Sequence, residues 1–294
     1  MSNKDQALLE QAYTMMYEST SNRILIPRRA EERQAKYLRM TQKRIQDYIQ
    51  NGSQGDLSLD STPITSLPDN LTVNGSLYLR STKQLTKLPQ GLQVRDNFVI
   101  SYSGVTALPE DLVVGKSILM PYTQISELPD SIKVINGRLE ASHSQLKSLP
   151  QGLTVNGDLS LDYVTTISNL PSNLRIRGSL TLFASKGLDS LPDDIEIGGS
   201  LSISHTNITK LPASITKLKN LIASYSKLSV LPAGLKIIES LNLVNTPITD
   251  IPTDIEVGVQ MRVRGTPFLI DLQRQYTLNM IKFMYPGVRE LHVK

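Results

Sequence analysis

The sequence predicts a β-rich solenoid: ten to eleven coils of 20–21 residues stacked in line, with helical caps at the two ends. Three observations predict it. Leu-Pro recurs at Leu67-Pro68, Leu88-Pro89, Leu108-Pro109, Leu128-Pro129, Leu149-Pro150, Leu170-Pro171, Leu191-Pro192, Leu211-Pro212 and Leu231-Pro232, with Ile251-Pro252 last, always 20 or 21 residues apart. Between these marks, apolar and polar residues alternate with period two, the pattern of a strand with one buried face. Before and after the repeats the apolar residues switch to helical spacing.

One coil, Leu67 to Thr82, shows the logic. Leu71 and Val73 alternate with polar neighbours, as do Leu77 and Leu79. Asn74-Gly75 supplies the turn between the two short strands, as Asn136-Gly137, Asn156-Gly157 and Gly198-Gly199 do elsewhere. Proline after the inward Leu fixes φ and removes a ladder donor, so the chain must turn there. A single coil of this kind cannot bury its own apolar residues. Stacked coils can, because each Leu then lies on its copy in the next coil. Ten to eleven coils at the ~4.8 Å strand spacing give a core roughly 50 Å long.

By this pattern the chain resembles the leucine-rich repeat family. The segment Leu57 to Pro68 reads L-x-L-x-x-T-x-I-x-x-L-P, which is similar to the strand signature of that family, and the resemblance covers about residues 55–268. The short period and the Leu-Pro step look like the repeats of secreted bacterial effectors and of bacterial and tailed-phage repeat proteins. The resemblance implies a leucine-rich-repeat-like fold, a protein-binding role, and a bacterial or phage origin. It departs at one position. Where the family carries an inward asparagine, this chain has mostly hydroxyls: Thr62, Thr82, Ser103, Thr123, Ser144, Ser185, Thr206, Ser226, Thr246 and Thr266. A shorter side chain reaches less far, so a tighter coil is expected. The cysteine-dependent ubiquitin ligase activity of the effector family does not carry over, because the chain has no cysteine.

The chain divides by pattern into residues 1–50, the solenoid over 51–266, and residues 267–294. Residues 4–18 place Leu8, Leu9, Ala12, Met15 and Met16 at helical spacing, and Arg28 to Gln50 is a second expected helix with Tyr37, Leu38, Met40, Ile45 and Tyr48 inward. Residues 1–50 read either as a cap on the first coil or as a docking arm for a partner. The opening LLEQAY is similar to the starts of small tailed-phage proteins. From Pro267 to Tyr285, Phe268, Leu269, Leu272, Tyr276, Met280, Ile281 and Met284 predict a capping helix that starts on a favoured proline and ends at Pro286-Gly287.

Composition narrows the function. With no cysteine there is no disulfide framework and no thiolate metal site. The start lacks the basic and apolar regions of a secretory signal, and no stretch approaches the ~18 apolar residues of a membrane span. The expected setting is cytoplasmic, in a bacterium or an infected host cell, or virion-associated. Net charge is +4, with the excess at the ends: nine Lys/Arg against six Asp/Glu in residues 1–50, and six against two in residues 262–294. Nucleic acid is therefore the less favoured partner, reachable through the basic ends. His143, His205 and His292 form no metal-binding spacing, and there is no phosphate-binding loop and no nucleophile motif. No enzyme, metal or cofactor is expected.

The informative positions lie in one register. Two residues after the second apolar residue of each L-x-L, the chain carries Ser61, Ser81, Tyr102, Tyr122, His143, Tyr163, Ala184, His205, Tyr225, Asn245 and Gly265. Within the L-x-L itself, Leu119 and Ile222 are apolar where solvent is expected. Aromatics stacked coil on coil have two readings that do not exclude each other: a ladder that holds neighbouring coils together, or a strip for a protein partner, where Tyr is enriched. The candidate partner-binding residues are Tyr102, Tyr122, His143, Tyr163, His205 and Tyr225, with Leu119 and Ile222 beside them. The alternative class is a structural subunit of a larger assembly such as a phage virion, attached through the basic ends.

Overall fold

The computed structural model describes residues 30–276, 285 and 287–292. Eleven short strands, from Leu57–Ser58 through Leu159–Ser160 to Glu256–Arg262, pair in parallel into one long sheet. Leu57 pairs with Leu77, Leu77 with Phe98, Phe98 with Ile118, and so on, so identical positions stack. The first apolar residue of every strand is at most 2% exposed from Leu57 to Met261, which places all eleven in one core.

A second row runs along the other side. Thr72–Val73, Gln93–Val94 and Val113–Val114 form one small sheet, and the four strands from Val134–Ile135 to Glu196–Ile197 form another. At the end of the stack the seven-residue strand Glu256–Arg262 runs through the corner and pairs with both rows.

The Leu-Pro step makes a local turn. At six of the ten steps the proline carbonyl accepts from the N–H of the apolar residue three positions on, as Leu112 to Pro109 at 3.1 Å, Ile132 to Pro129 at 3.0 Å and Leu153 to Pro150 at 3.3 Å. This explains the constant L-P-x-x-(L/I) spacing. The Asn-Gly corners use glycine for a different reason than a left-handed turn. Gly157 has no positive φ; a Cβ there would overlap the carbonyl oxygen of Gly137 in the preceding coil. Small size at this corner lets the coils approach.

The hydroxyl column closes the turn within its own coil. Thr82 Oγ1 donates to the Leu79 carbonyl at 2.7 Å, and Thr123, Thr206, Ser226, Thr246 and Thr266 repeat this three-residue step at 2.6–2.8 Å. The short side chain suffices because its acceptor is local. Val164 interrupts the column, and the neighbouring coil compensates. Ser185 Oγ reaches back to the Leu161 carbonyl at 2.5 Å and accepts from the Val164 N–H at 3.2 Å. Ser185→Ala is therefore expected to cost about 0.5–1.5 kcal/mol, the net worth of such a hydrogen bond, since the Val164 N–H keeps its own bond to the Leu161 carbonyl at 3.2 Å. Val164→Thr, which restores the local bond, should recover most of it. A double-mutant cycle by denaturant unfolding measures this; additive losses would contradict the cross-coil role of Ser185.

The ends depart from expectation in detail. The helix α1, residues 30–50, packs Leu38, Thr41, Ile45 and Tyr48 inward, spaced three, four and three apart. The Tyr48 hydroxyl lies 2.7 and 2.8 Å from the Ser53 and Gly55 carbonyls and shares its one proton between them, which ties the helix to the entry of the first coil. Tyr37 and Met40, expected inward, are exposed, because they lie off that stripe. The expected helix over 4–18 lies outside the described residues.

At the other end, helix α2, Pro267–Gln275, is capped by Thr266, whose hydroxyl accepts from the Leu269 N–H at 3.2 Å. It is shorter than the Pro267 to Tyr285 helix the sequence predicts: Tyr276 is already extended and closes it with an N–H bond to the Leu272 carbonyl. Residues 277–284, with Met280, Ile281 and Met284, lie outside the described residues. Tyr285 is buried edge-on against Phe268, ring centres 5.7 Å apart. Val288–His292 is a strand rather than a tail, paired in parallel with Glu256–Arg262 across a register shift.

Candidate interaction surface

The Tyr/His column falls at a turn that the backbone defines sharply. Each of its side-chain-bearing residues from Ser61 to Asn245 has φ between 55° and 59°, and Gly265 has φ 74°. The residue after it bonds back to the carbonyl three before, as Ser103 N–H does to Ile100 and Thr206 N–H to Ile203, both at 3.3 Å. The column is thus the third position of a four-residue turn, where positive φ is demanded. Left-handed backbone costs an ordinary residue about 1–2 kcal/mol and favours Gly or Asn. Asn245 and Gly265 meet that demand. In the central coils the chain places bulky rings there instead.

Those rings stack on one another. Centroid distances are 4.4 Å for Tyr102–Tyr122, 4.3 Å for Tyr122–His143 and 4.3 Å for His143–Tyr163, with planes within 14° of parallel. Such pairs are worth about 0.5–1.5 kcal/mol each beyond their burial, enough to offset the turn. Desolvation, and then the Tyr122 hydroxyl beside it, push the Tyr102 phenol above its ordinary pKa. At the coil where the column carries Ala184, Phe183 from the preceding position takes the ring's place. It lies 5.3 Å from Tyr163 and 5.2 Å from His205, tilted to both. His205 and Tyr225 resume parallel stacking at 5.0 Å. Seven rings therefore run unbroken from Tyr102 to Tyr225.

The stack is also a surface. Tyr102, Tyr122, Tyr163 and Tyr225 remain 44–53% exposed even though each is in ring contact with its neighbours along the stack. Beside them, Ile222 is exposed at 41%, whereas Leu119 is half-buried. Leu119 sits in register with Val99, which is buried, and Val99 in register with Tyr78. These eight candidate residues thus share one face of the long sheet, and Phe183, Val99 and Tyr78 join them. The signal for Phe183 was the lone aromatic beside the lone Ala of the column. The second row differs. Val113 and Val134 are exposed there over a shallow hollow of about 360 Å³, but charged pairs dominate that side, including Arg175–Glu196, Lys219–Glu239 and Lys236–Glu256.

Among the described residues no group of three His, Asp or Glu is placed to hold a metal ion, and no helix is long and apolar enough to cross a membrane. His143 and His205 stand in the ring stack, and His292 pairs with Glu290 at 3.5 Å.

A stack of 20-residue coils with one continuous parallel sheet defines the class: a leucine-rich-repeat-like solenoid. No family model and no curated protein matches the sequence. Among solved structures, YopM from Yersinia enterocolitica WA-314 is similar in fold, with a TM-score of 0.53 at 20% identity over 87% of this chain. The match spans 59% of that protein's length.

Proposed function

We propose that the chain is a non-enzymatic protein-binding module that meets its partner with the outward face of the long sheet, centred on Tyr102, Tyr122, His143, Tyr163, His205 and Tyr225, with Leu119 and Ile222 beside them. The observation that carries this is the half-exposed, seven-ring stack on a scaffold whose coils are held to one another by backbone hydrogen bonds. Rigid Tyr edges offer apolar area and hydroxyls together at little entropic cost, which is why Tyr anchors interfaces. The ladder and the strip are one object: stacking holds the rings in place, and their outer edges remain for a partner. The short Leu-Pro repeats resemble those of bacterial effectors and tailed-phage proteins, and a bacterial or phage setting belongs to this reading.

The test is capture from the native source with the wild type, with Tyr122→Ser/Tyr163→Ser, and with Val113→Ser/Val134→Ser on the opposite row. Ser already occupies the same turn at Ser61 and Ser81 with the same φ, so the first variant keeps the backbone. The reading expects one stoichiometric partner that the Tyr variant loses and the Val variant retains. The reverse pattern would assign binding to the second row.

A further inference from the structure

The charge pattern of the outward face says what kind of partner fits, if that face is the binding surface proposed above. In the eight coils from Val99 to Asn245, the three outward positions of strand and turn carry no Lys or Arg and only two carboxylates, Glu140 and Asp162. Both carboxylates are engaged internally. Asp162 accepts from the Phe183 N–H at 2.7 Å, and Glu140 from the Ser142 N–H at 3.2 Å. The remaining positions are Ser, Thr, Pro, Asn, aromatic or aliphatic. Such depletion of charge beside aromatics is the composition of an interface core.

The two ends of this neutral strip differ. At the first end Arg80 is already neutralised: it pairs with Asp60 at 3.0 Å and lies over the Tyr78 ring at 4.8 Å. At the far end Arg262 and Arg264 occupy the same two outward positions, and both are exposed. Arg262 donates only to the Gln260 side chain at 3.2 Å, and Arg264 has no ion-pair partner among the described residues. The strip is narrow and long. From the Tyr102 coil to the Arg264 coil there are eight steps, about 38 Å at the ~4.8 Å strand spacing. An extended segment of about twelve residues spans that length at ~3.3 Å per residue.

We infer that the partner presents an extended, uncharged segment bearing apolar or aromatic residues, which lies along the ring stack and ends in an acidic group over Arg262 and Arg264. A uniformly acidic or basic segment does not match a strip of strand and turn positions that carries no Lys or Arg for eight coils and two Arg at its far end. Two exposed guanidiniums with no ion-pair partner among the described residues select a carboxylate at that end and set the direction in which the segment runs.

The experiment uses a random dodecapeptide library displayed on phage, selected against the immobilised full chain. Enriched peptides are then measured against Tyr122→Ser/Tyr163→Ser and against Arg262→Gln/Arg264→Gln, both first checked for an intact melting transition. The expected peptides carry a neutral run with aromatics and an Asp or Glu confined to one end. They should lose at least tenfold in affinity on each variant, and the Arg variant should also lose the preference for which end is acidic. Peptides that need the tyrosines but are charged throughout, or that bind the Arg variant unchanged, overturn the inference and leave the binding surface standing. Peptides indifferent to the tyrosines, or no enrichment over the Tyr variant, overturn both.

Discussion

Leu161→Asp is expected to abolish the cooperative melt of the whole solenoid. Leu161 is fully buried in the second apolar row, between Ala141 and Leu182 of the flanking coils, and its N–H bonds the Thr181 carbonyl at 2.9 Å. Truncating such a side chain costs about 2–5 kcal/mol through lost burial and the cavity left behind. A carboxylate there adds a desolvation penalty, with no cation in reach to offset it. Single domains have only about 5–15 kcal/mol to lose. The damage also spreads, because each coil is covered only by its neighbours, so two interfaces fail for one substitution. Asp162, one residue on, supplies the contrast: it is a native carboxylate on the other side of the pleat, bonded to the Phe183 N–H. A one-residue slip exchanges the two faces of a strand. Circular dichroism against temperature decides this, and a wild-type melt in Leu161→Asp would refute the register.

Deletion of residues 1–50 is expected to cause aggregation. α1 contributes Ile45 to the core and covers the first coil, where Leu57 and Leu59 are now 2% and 0% exposed. Removing it bares that apolar end together with the unpaired edge of Leu57–Ser58, a template for pairing with other chains. Terminal coils of solenoids need such a cover to stay in solution. Size-exclusion chromatography reads the outcome. A truncated chain that elutes as a folded monomer would show that the segment is no cap; if it has also lost its partner, the segment is a docking arm.

The period and the alternation made the coils legible, because stacking demands that like lie on like: once Leu-Pro recurs every 20 or 21 residues, the Leu57, Leu77 and Phe98 row follows. The register of the Tyr/His column was equally legible. Its left-handed backbone was not read from the sequence, although Asn245 and Gly265 at two of its eleven positions carried the signal. Rings at six of the other nine positions obscured it, since stacking there outweighs backbone preference. Phe183 escaped because its contribution comes from a neighbouring position. The ends were the least legible. Tyr37 and Met40 are apolar by residue type, yet only helix geometry shows that Leu38, Thr41, Ile45 and Tyr48 form the inward stripe. Val288–His292 lacks clean alternation, and its strand state depends on the sheet edge offered by Glu256–Arg262. Tertiary context of that kind has no local signature.

The ring stack is a structural ladder and, in the proposed function, also the partner's contact surface. Titration calorimetry of the purified partner against the wild type and Tyr122→Ser/Tyr163→Ser, each paired with a thermal melt, tests both halves in one variant. Removing Tyr122 and Tyr163 breaks four ring contacts, so the melting temperature should fall by several degrees while the fold persists. Two anchors lost from the interface should weaken binding at least tenfold, the equivalent of ~1.4 kcal/mol. A lower melting temperature with unchanged affinity would leave the stack as architecture alone and contradict the account.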